Sequence, residues 1–295
     1  MQTKDFSLKF GSWMRFAAGR RTPRAAHSLL PPAWVSIIAA LALWVVPGIA
    51  QGTDPGNNQT TSQGVTVLTQ SLNASGAANQ QSPVQSFTAS GTITFFWAGQ
   101  QVQAPATILM HGSSQFRLDA SLPGGTRSVA VSGNTGARKA EDGTLTPIPL
   151  HNTISMGGTS FPYLSIAAAL ADSTLTVSDV SLVDSGDQQL QKVRVTKNFS
   201  ADQDPNGIVA KLSQTDYFVD PKTNLVVKVA DVTHPIQTLT EDYPREMEFE
   251  SYSVVSGVAV PTVVRERING QKVWEFSLSS ISFNTNLTDA DFSIQ

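Results

Sequence analysis

The sequence predicts a mainly β chain with a few helices: one antiparallel sheet of about ten or eleven strands, a short early helix and a helical insertion near the middle. Three observations point to this. From Ser86 onward, short runs alternate apolar and polar residues and are separated by turn residues. Asn269-Gly270 sits between two such runs, and both residues tolerate the positive φ of a tight hairpin turn. Only the stretch 147–173, PIPLHNTISMGGTSFPYLSIAAALADS, breaks the alternation.

The chain of 295 residues opens with a segment unlike the rest. Lys4, Lys9, Arg15, Arg20, Arg21 and Arg24 face a single acid, Asp5, and the apolar run AWVSIIAALALWVV follows from Ala33 to Val46. Basic region, apolar stretch and the small residues Gly48 and Ala50 make residues 1–50 an export signal cleaved after Ala50. Met14 is an alternative start that would shorten the basic part. An uncleaved inner-membrane anchor is the other reading, and the stretch closed by Pro47-Gly48 is short for a span. The chain has no cysteine, hence neither a disulfide framework nor the lipid-attachment residue of a bacterial lipoprotein. Of 20 Lys+Arg and 23 Asp+Glu, the leader holds six and one, which leaves 14 against 22, a net charge of −8 on residues 51–295. That balance argues against nucleic acid as a partner.

Residues 51–64, QGTDPGNNQTTSQG, read as a flexible linker, and 65–295 as a single domain. In VTVLTQSLN, 65–73, the residues Val65, Leu68 and Leu72 have helical spacing, with a Val/Thr-rich β segment as the alternative. FTASGTITFFW (87–97), VQAPATILMHG (102–112), SSQFRLDASL (113–122) and RSVAVSG (127–133) then read as adjacent antiparallel strands. Phe161, Leu164 and the Ala167–Ala171 run suit a helix, with Ser160 as cap, Pro162 in the first turn and Gly157-Gly158 as hinge. Strands resume at 174–183 and 188–199, and 215–232 forms a hairpin about Asp220–Asn224. At 246–250, Glu246, Glu248 and Glu250 alternate with Met247 and Phe249, one wet face and one buried face.

The last hairpin is the richest in apolar surface. A two-residue turn at Asn269-Gly270 sets Arg265 opposite Trp274 and Val263 opposite Phe276. One face then carries Pro261, Val263, Arg265, Arg267, Lys272, Trp274, Phe276 and Leu278, with Arg265 in reach of a cation–π contact to Trp274. Glu266 and Glu275 fall on the other face. Such a face is the core of an ordinary sandwich or the wall of a cavity.

Chemistry is not legible. The sequence has no GxSxG, P-loop, dinucleotide-binding or HExxH motif, and after the leader His111, His151 and His234 stand apart. Glu246, Glu248 and Glu250 read as solvated acids rather than a glycosidase pair. No cofactor, metal or catalytic residue is assigned, and the reading is that of a nonenzyme.

The stretch 249–292 resembles the periplasmic lipoprotein-carrier superfamily, the LolA-like proteins. Ser256-Gly257-Val258 leading to Val260-Pro261, the returning Ile281–Asn284 and the closing Asp289–Phe292 carry the likeness, joined by the hairpin YFVDPKTNLVVKV at 217–229. The resemblance implies an unclosed antiparallel half-barrel with helices over its concave face, and a noncatalytic periplasmic carrier that shields a lipid, an acylated protein or a glycolipid. It implies a wall of Phe95, Ile108, Met110, Val263, Arg265, Trp274, Phe276 and Leu278, covered by Phe161, Leu164 and Leu170, with Arg117 and Arg265 as pattern-based candidates. The alternative is an envelope sensor or protein-interaction module on the same fold, its cavity filled by its own side chains.

Overall fold

The computed structural model describes residues 60–79, 83–156 and 161–294. The leader, most of the linker, Gly157-Gly158 and Ser160 lie outside the described residues. Helix α1 (Ser62–Ala74) begins three residues inside the stretch read as linker, because Thr61 caps it: the Thr61 hydroxyl accepts from Gly64 N–H at 3.2 Å. The helical spacing, not the β alternative, describes this segment.

Two meanders follow. The first is β1 (Ser86–Trp97), β2 (Gln100–His111), β3 (Gln115–Leu122), β4 (Gly125–Ser132), β5 (Thr135–Lys139) and β6 (Leu145–Pro147). Helices α2 (Leu150–Met156) and α3 (Pro162–Ala171) come next. The second is β7 (Leu175–Ser185), β8 (Gln188–Lys197), helix α4 (Ile208–Leu212), β9 (Thr215–Val219), β10 (Val226–Thr233), β11 (Tyr243–Val255), β12 (Val258–Ile268) and β13 (Gln271–Phe283). The first strand pairs with the last, giving one antiparallel sheet in the order β6-β5-β4-β3-β2-β1-β13-β12-β11-β10-β9-β8-β7. Its thirteen strands exceed the expected ten or eleven, the surplus coming from short strands such as β5 and β6, which fall in a stretch with little alternation.

The order fixes where the helices go. β6 and β7 are consecutive in sequence but form opposite edges of the sheet, so the segment between them must cross a whole face. Helix α3 does so against α1 and β7, while α2 packs on both β5 and β10, strands that only a strongly curled sheet brings near one helix. The sheet is therefore an unclosed half-barrel with helices on its concave side. Among the described residues no helix is long and apolar enough to cross a membrane.

The convex side is held by charge and by the C-terminus. Lys228 pairs with Glu246, Arg267 with Glu248, and Arg265 with Glu250 and Glu275, so the acids read as merely solvated are matched across neighbouring strands. Arg117 also points outward. Its guanidinium bonds Asp119 and donates to the carbonyls of Asp291 and Ser293, tying the 3-10 turn Asp289–Phe292 to β3, with Phe292 buried.

Candidate functional site

The concave face is a continuous apolar wall, and its register shows how it is built. One row runs Phe249, Val264, Phe276, Ile93, Ala104 across β11, β12, β13, β1 and β2. A second runs Val193, Tyr217, Val229, Met247, Glu266, Trp274, Phe95, Val102 across eight strands. β-Branched and aromatic residues suit such a pleated surface, and every second residue of each strand faces it.

The face expected for the last hairpin is corrected here. Ile268 does face Gln271 and Arg267 faces Lys272, as a two-residue turn requires, but Val273 is then an extra residue. Beyond this bulge Glu266 faces Trp274, Arg265 faces Glu275 and Val264 faces Phe276. Val264 and Glu266 thus join the wall, and Val263 and Arg265 leave it for the convex side. The cation–π contact of Arg265 with Trp274 is not made. Arg127 instead lies over the Phe95 ring at 4.7 Å and Lys272 over Phe96 at 4.5 Å.

The other expected wall residues come together. Ile108, Met110, Trp274 and Phe276 belong to one buried cluster with Phe161 and Leu164 of the covering segment, while Phe95, Leu170 and Leu278 pack at its margin. Helix α3 takes Phe161, not Ser160, as its N-terminal flanking residue, and Pro162 opens its first turn as the sequence predicts. The Phe161 ring lies 4.2 Å from that of Phe87 and 3.9 Å from that of Tyr163. Ile166 of α3 and Val67 and Leu68 of α1 were not expected at the site and are buried in it. Tyr217 fixes α3 to the wall by donating to the Ser165 hydroxyl at 2.8 Å, and burial pushes its own pKa to about 12.

Little space remains. Ile93, Met110 and Ile166 are 0% exposed and Trp274, the most accessible of the buried wall residues, 9%. Between α1 and α3 a gap of about 10 Å³ touches Ser71, Tyr163 and Tyr252, room for one water, and the Tyr163 hydroxyl there has no partner among the described residues.

At the end of the wall near the β12–β13 turn the lining becomes ionic. Arg245 and Asp231 form a bidentate pair with side chains 5% and 2% exposed, and Glu266 stands 3.9 Å from Arg245. Burial pushes the Glu266 carboxyl above its usual range, against the pull of Arg245 and Arg138 and a hydrogen bond from the Trp274 indole. Asn152 of α2 closes this end, donating to the carbonyl of His234 and accepting from its N–H. The histidines do not all stand apart: the His151 and His234 rings are 5.9 Å from each other. No group of three metal-ligating side chains occurs among the described residues. This ionic end was not legible from strand alternation, since only the bulge turns Glu266 inward.

No family model and no curated protein matches the chain. Solved structures do. A LolA superfamily protein from Nitrosomonas europaea is 11% identical, with a TM-score of 0.48, covering 78% of this chain and 96% of its own. A domain described as an outer membrane lipoprotein-sorting protein domain, from Vibrio parahaemolyticus, is 11% identical with a TM-score of 0.47, covering 76% of this chain and 97% of its own. A DUF1329 family protein from Desulfovibrio piger is 10% identical with a TM-score of 0.48, covering 80% and 98%.

Proposed function

We propose that this chain is an exported, noncatalytic binding protein of the bacterial periplasm, its interior filled by its own side chains, which recognises its partner through its surface. The filling of the wall carries this reading. Phe276, Ile93, Met110, Phe161 and Leu164 are already buried against one another, so the groove that an acyl chain needs is occupied. Nine of the expected wall and cover residues, Phe95, Ile108, Met110, Phe161, Leu164, Leu170, Trp274, Phe276 and Leu278, then serve as core. Residues 1–50 act as export signal, and the N-terminus of the exported form tells cleavage after Ala50 from a retained anchor. Native mass spectrometry of the exported form tests the filled interior: it is expected at the mass of the protein alone, with or without added lipid.

A second reading has its own support. The wall is covered by helices rather than by a second sheet, and α1 is joined to the sheet at its two ends, through Thr61 N–H to Val177 and Ala259 N–H to the Ser75 carbonyl. A carrier of a lipid or acylated ligand would lift α1 and α3 and place the chain on the same residues, gaining about 0.8 kcal/mol per buried CH₂. Uptake of one acyl lipid per protein, abolished by Phe276→Glu in a folded variant, is the result that reading requires.

A further inference from the structure

The seam between the two cover helices is lined by hydroxyls. Ser71 and Ser75 at the C-terminal end of α1, Tyr163 in the first turn of α3 and Tyr252 of β11 surround the gap of about 10 Å³, with Ile166 and Val226 among its apolar sides. Ser71 is 3% exposed, Ser75 4% and Tyr163 4%, so these hydroxyls are withdrawn from bulk solvent.

Two of the four already donate. Ser75 Oγ donates to the Leu72 carbonyl at 2.6 Å and accepts from Ala77 N–H at 3.3 Å. The Tyr252 hydroxyl donates to the Val226 carbonyl at 2.5 Å, and its oxygen keeps the capacity to accept. The Tyr163 hydroxyl is buried and has no partner among the described residues. Burial, with the Tyr252 phenol beside it, holds the Tyr163 pKa well above the ordinary 10, so this hydroxyl keeps its proton and needs an acceptor. A buried hydroxyl left without one forfeits the bond it had with solvent in the unfolded chain. No charged side chain lines the gap, which therefore suits neither an ion nor a charged head group, and its size admits one water-sized guest.

We propose that one water molecule is bound in this gap as a latch between α1, α3 and the sheet, accepting from the Tyr163 hydroxyl and donating to the hydroxyl oxygens of Ser71 and Tyr252. Three bonds are the usual number for a buried water. Tyr217 ties α3 to the sheet directly through Ser165, and the water adds a tie that also includes α1. The site belongs to the closed cover and needs no ligand in the interior, so it stands apart from both readings above.

A crystal structure of the exported protein that resolves ordered solvent is expected to show one water within hydrogen-bond distance of the Tyr163 hydroxyl and of Ser71 or Tyr252. Urea unfolding supplies the second test. Tyr163→Phe removes a bond that is made and is expected to raise the unfolding constant about fivefold. Removing an unpaired hydroxyl would instead lower that constant or leave it unchanged. Ser71→Ala, measured alone and with Tyr163→Phe, reports the link between the helices, because the helix propensity of alanine is common to both backgrounds and cancels. The two substitutions together are expected to cost less than the sum of each alone, by more than about twofold in the unfolding constant. No density in the gap, an unfolding constant unchanged or lowered by Tyr163→Phe, or additivity within about twofold overturns the proposal.

Discussion

Glu266 lies directly across β12–β13 from Trp274, while Arg265 next to it lies across from Glu275 on the opposite side of the sheet. One extra residue, Val273, decides which of two adjacent charges turns toward the wall. Glu266 thereby enters the ionic end of the wall beside Arg245, and Arg265 joins the cross-strand pairs of the convex face.

The two arginines should therefore respond very differently to truncation. Arg245→Ala leaves Asp231 buried and unpaired and is expected to cost about 3–5 kcal/mol. Arg265→Ala breaks surface pairs, with side chains 21% and 24% exposed in the Arg265–Glu275 pair, and is expected to cost about 1 kcal/mol or less. Urea unfolding of both variants checks this, and similar losses would speak against the bulged register.

The pH dependence of stability should carry two opposite contributions. Glu266 has a folded pKa raised by burial above 4.5, so the native state holds its proton longer, and its contribution fades as pH rises from 4.5 through that raised value. Glu275 is lowered by Arg265 and Lys272, so its contribution is present above 4.5 and is lost as pH falls through its folded value. Glu266→Gln is expected to flatten the profile on the alkaline side of 4.5, and Glu275→Gln on the acid side. Unfolding free energies from pH 3 to pH 8, a range of about five units chosen to bracket both groups, provide the comparison.

Truncating the core should be costly, in contrast to the surface. Phe276→Ala removes a ring that is 2% exposed and is expected to lose about 3–5 kcal/mol. Val254→Ala, at a residue 73% exposed, should change stability by less than about 0.5 kcal/mol. Thermal melts of the pair report the difference.

At the C-terminal end of α1 the seam with the sheet is closed around a glycine. Gly76 has φ +73°, and a Cβ there would sit 2.2 Å from the Gly257 carbonyl oxygen. Gly76→Ala is expected to cost more than about 1 kcal/mol and to speed amide exchange in α1 before the strands are affected. Uniform exchange across α1 and the strands would show that the helix does not yield separately.

Much of the fold was legible because it rests on local rules. Asn269-Gly270 marks the turn it forms, with both residues at positive φ, and Pro162 marks the start of α3. The spacing of Val65, Leu68 and Leu72 marks α1, in which Leu68 is fully buried. The bulges were not legible. Val273 in β13 and the shift between Ser90 and Gly91 in β1 depend on long-range pairing, and an extra residue leaves the composition of a strand unchanged. Val263 and Arg265 were assigned to the wall for that reason alone.

The most direct test of the filled interior is native mass spectrometry of the exported protein from its own envelope, before and after incubation with phospholipid vesicles. The filled interior requires a bare protein in both, because Phe276, Met110 and Phe161 already occupy the groove. A bound acyl lipid at one per protein, lost in a folded Phe276→Glu variant, would contradict it and establish the carrier.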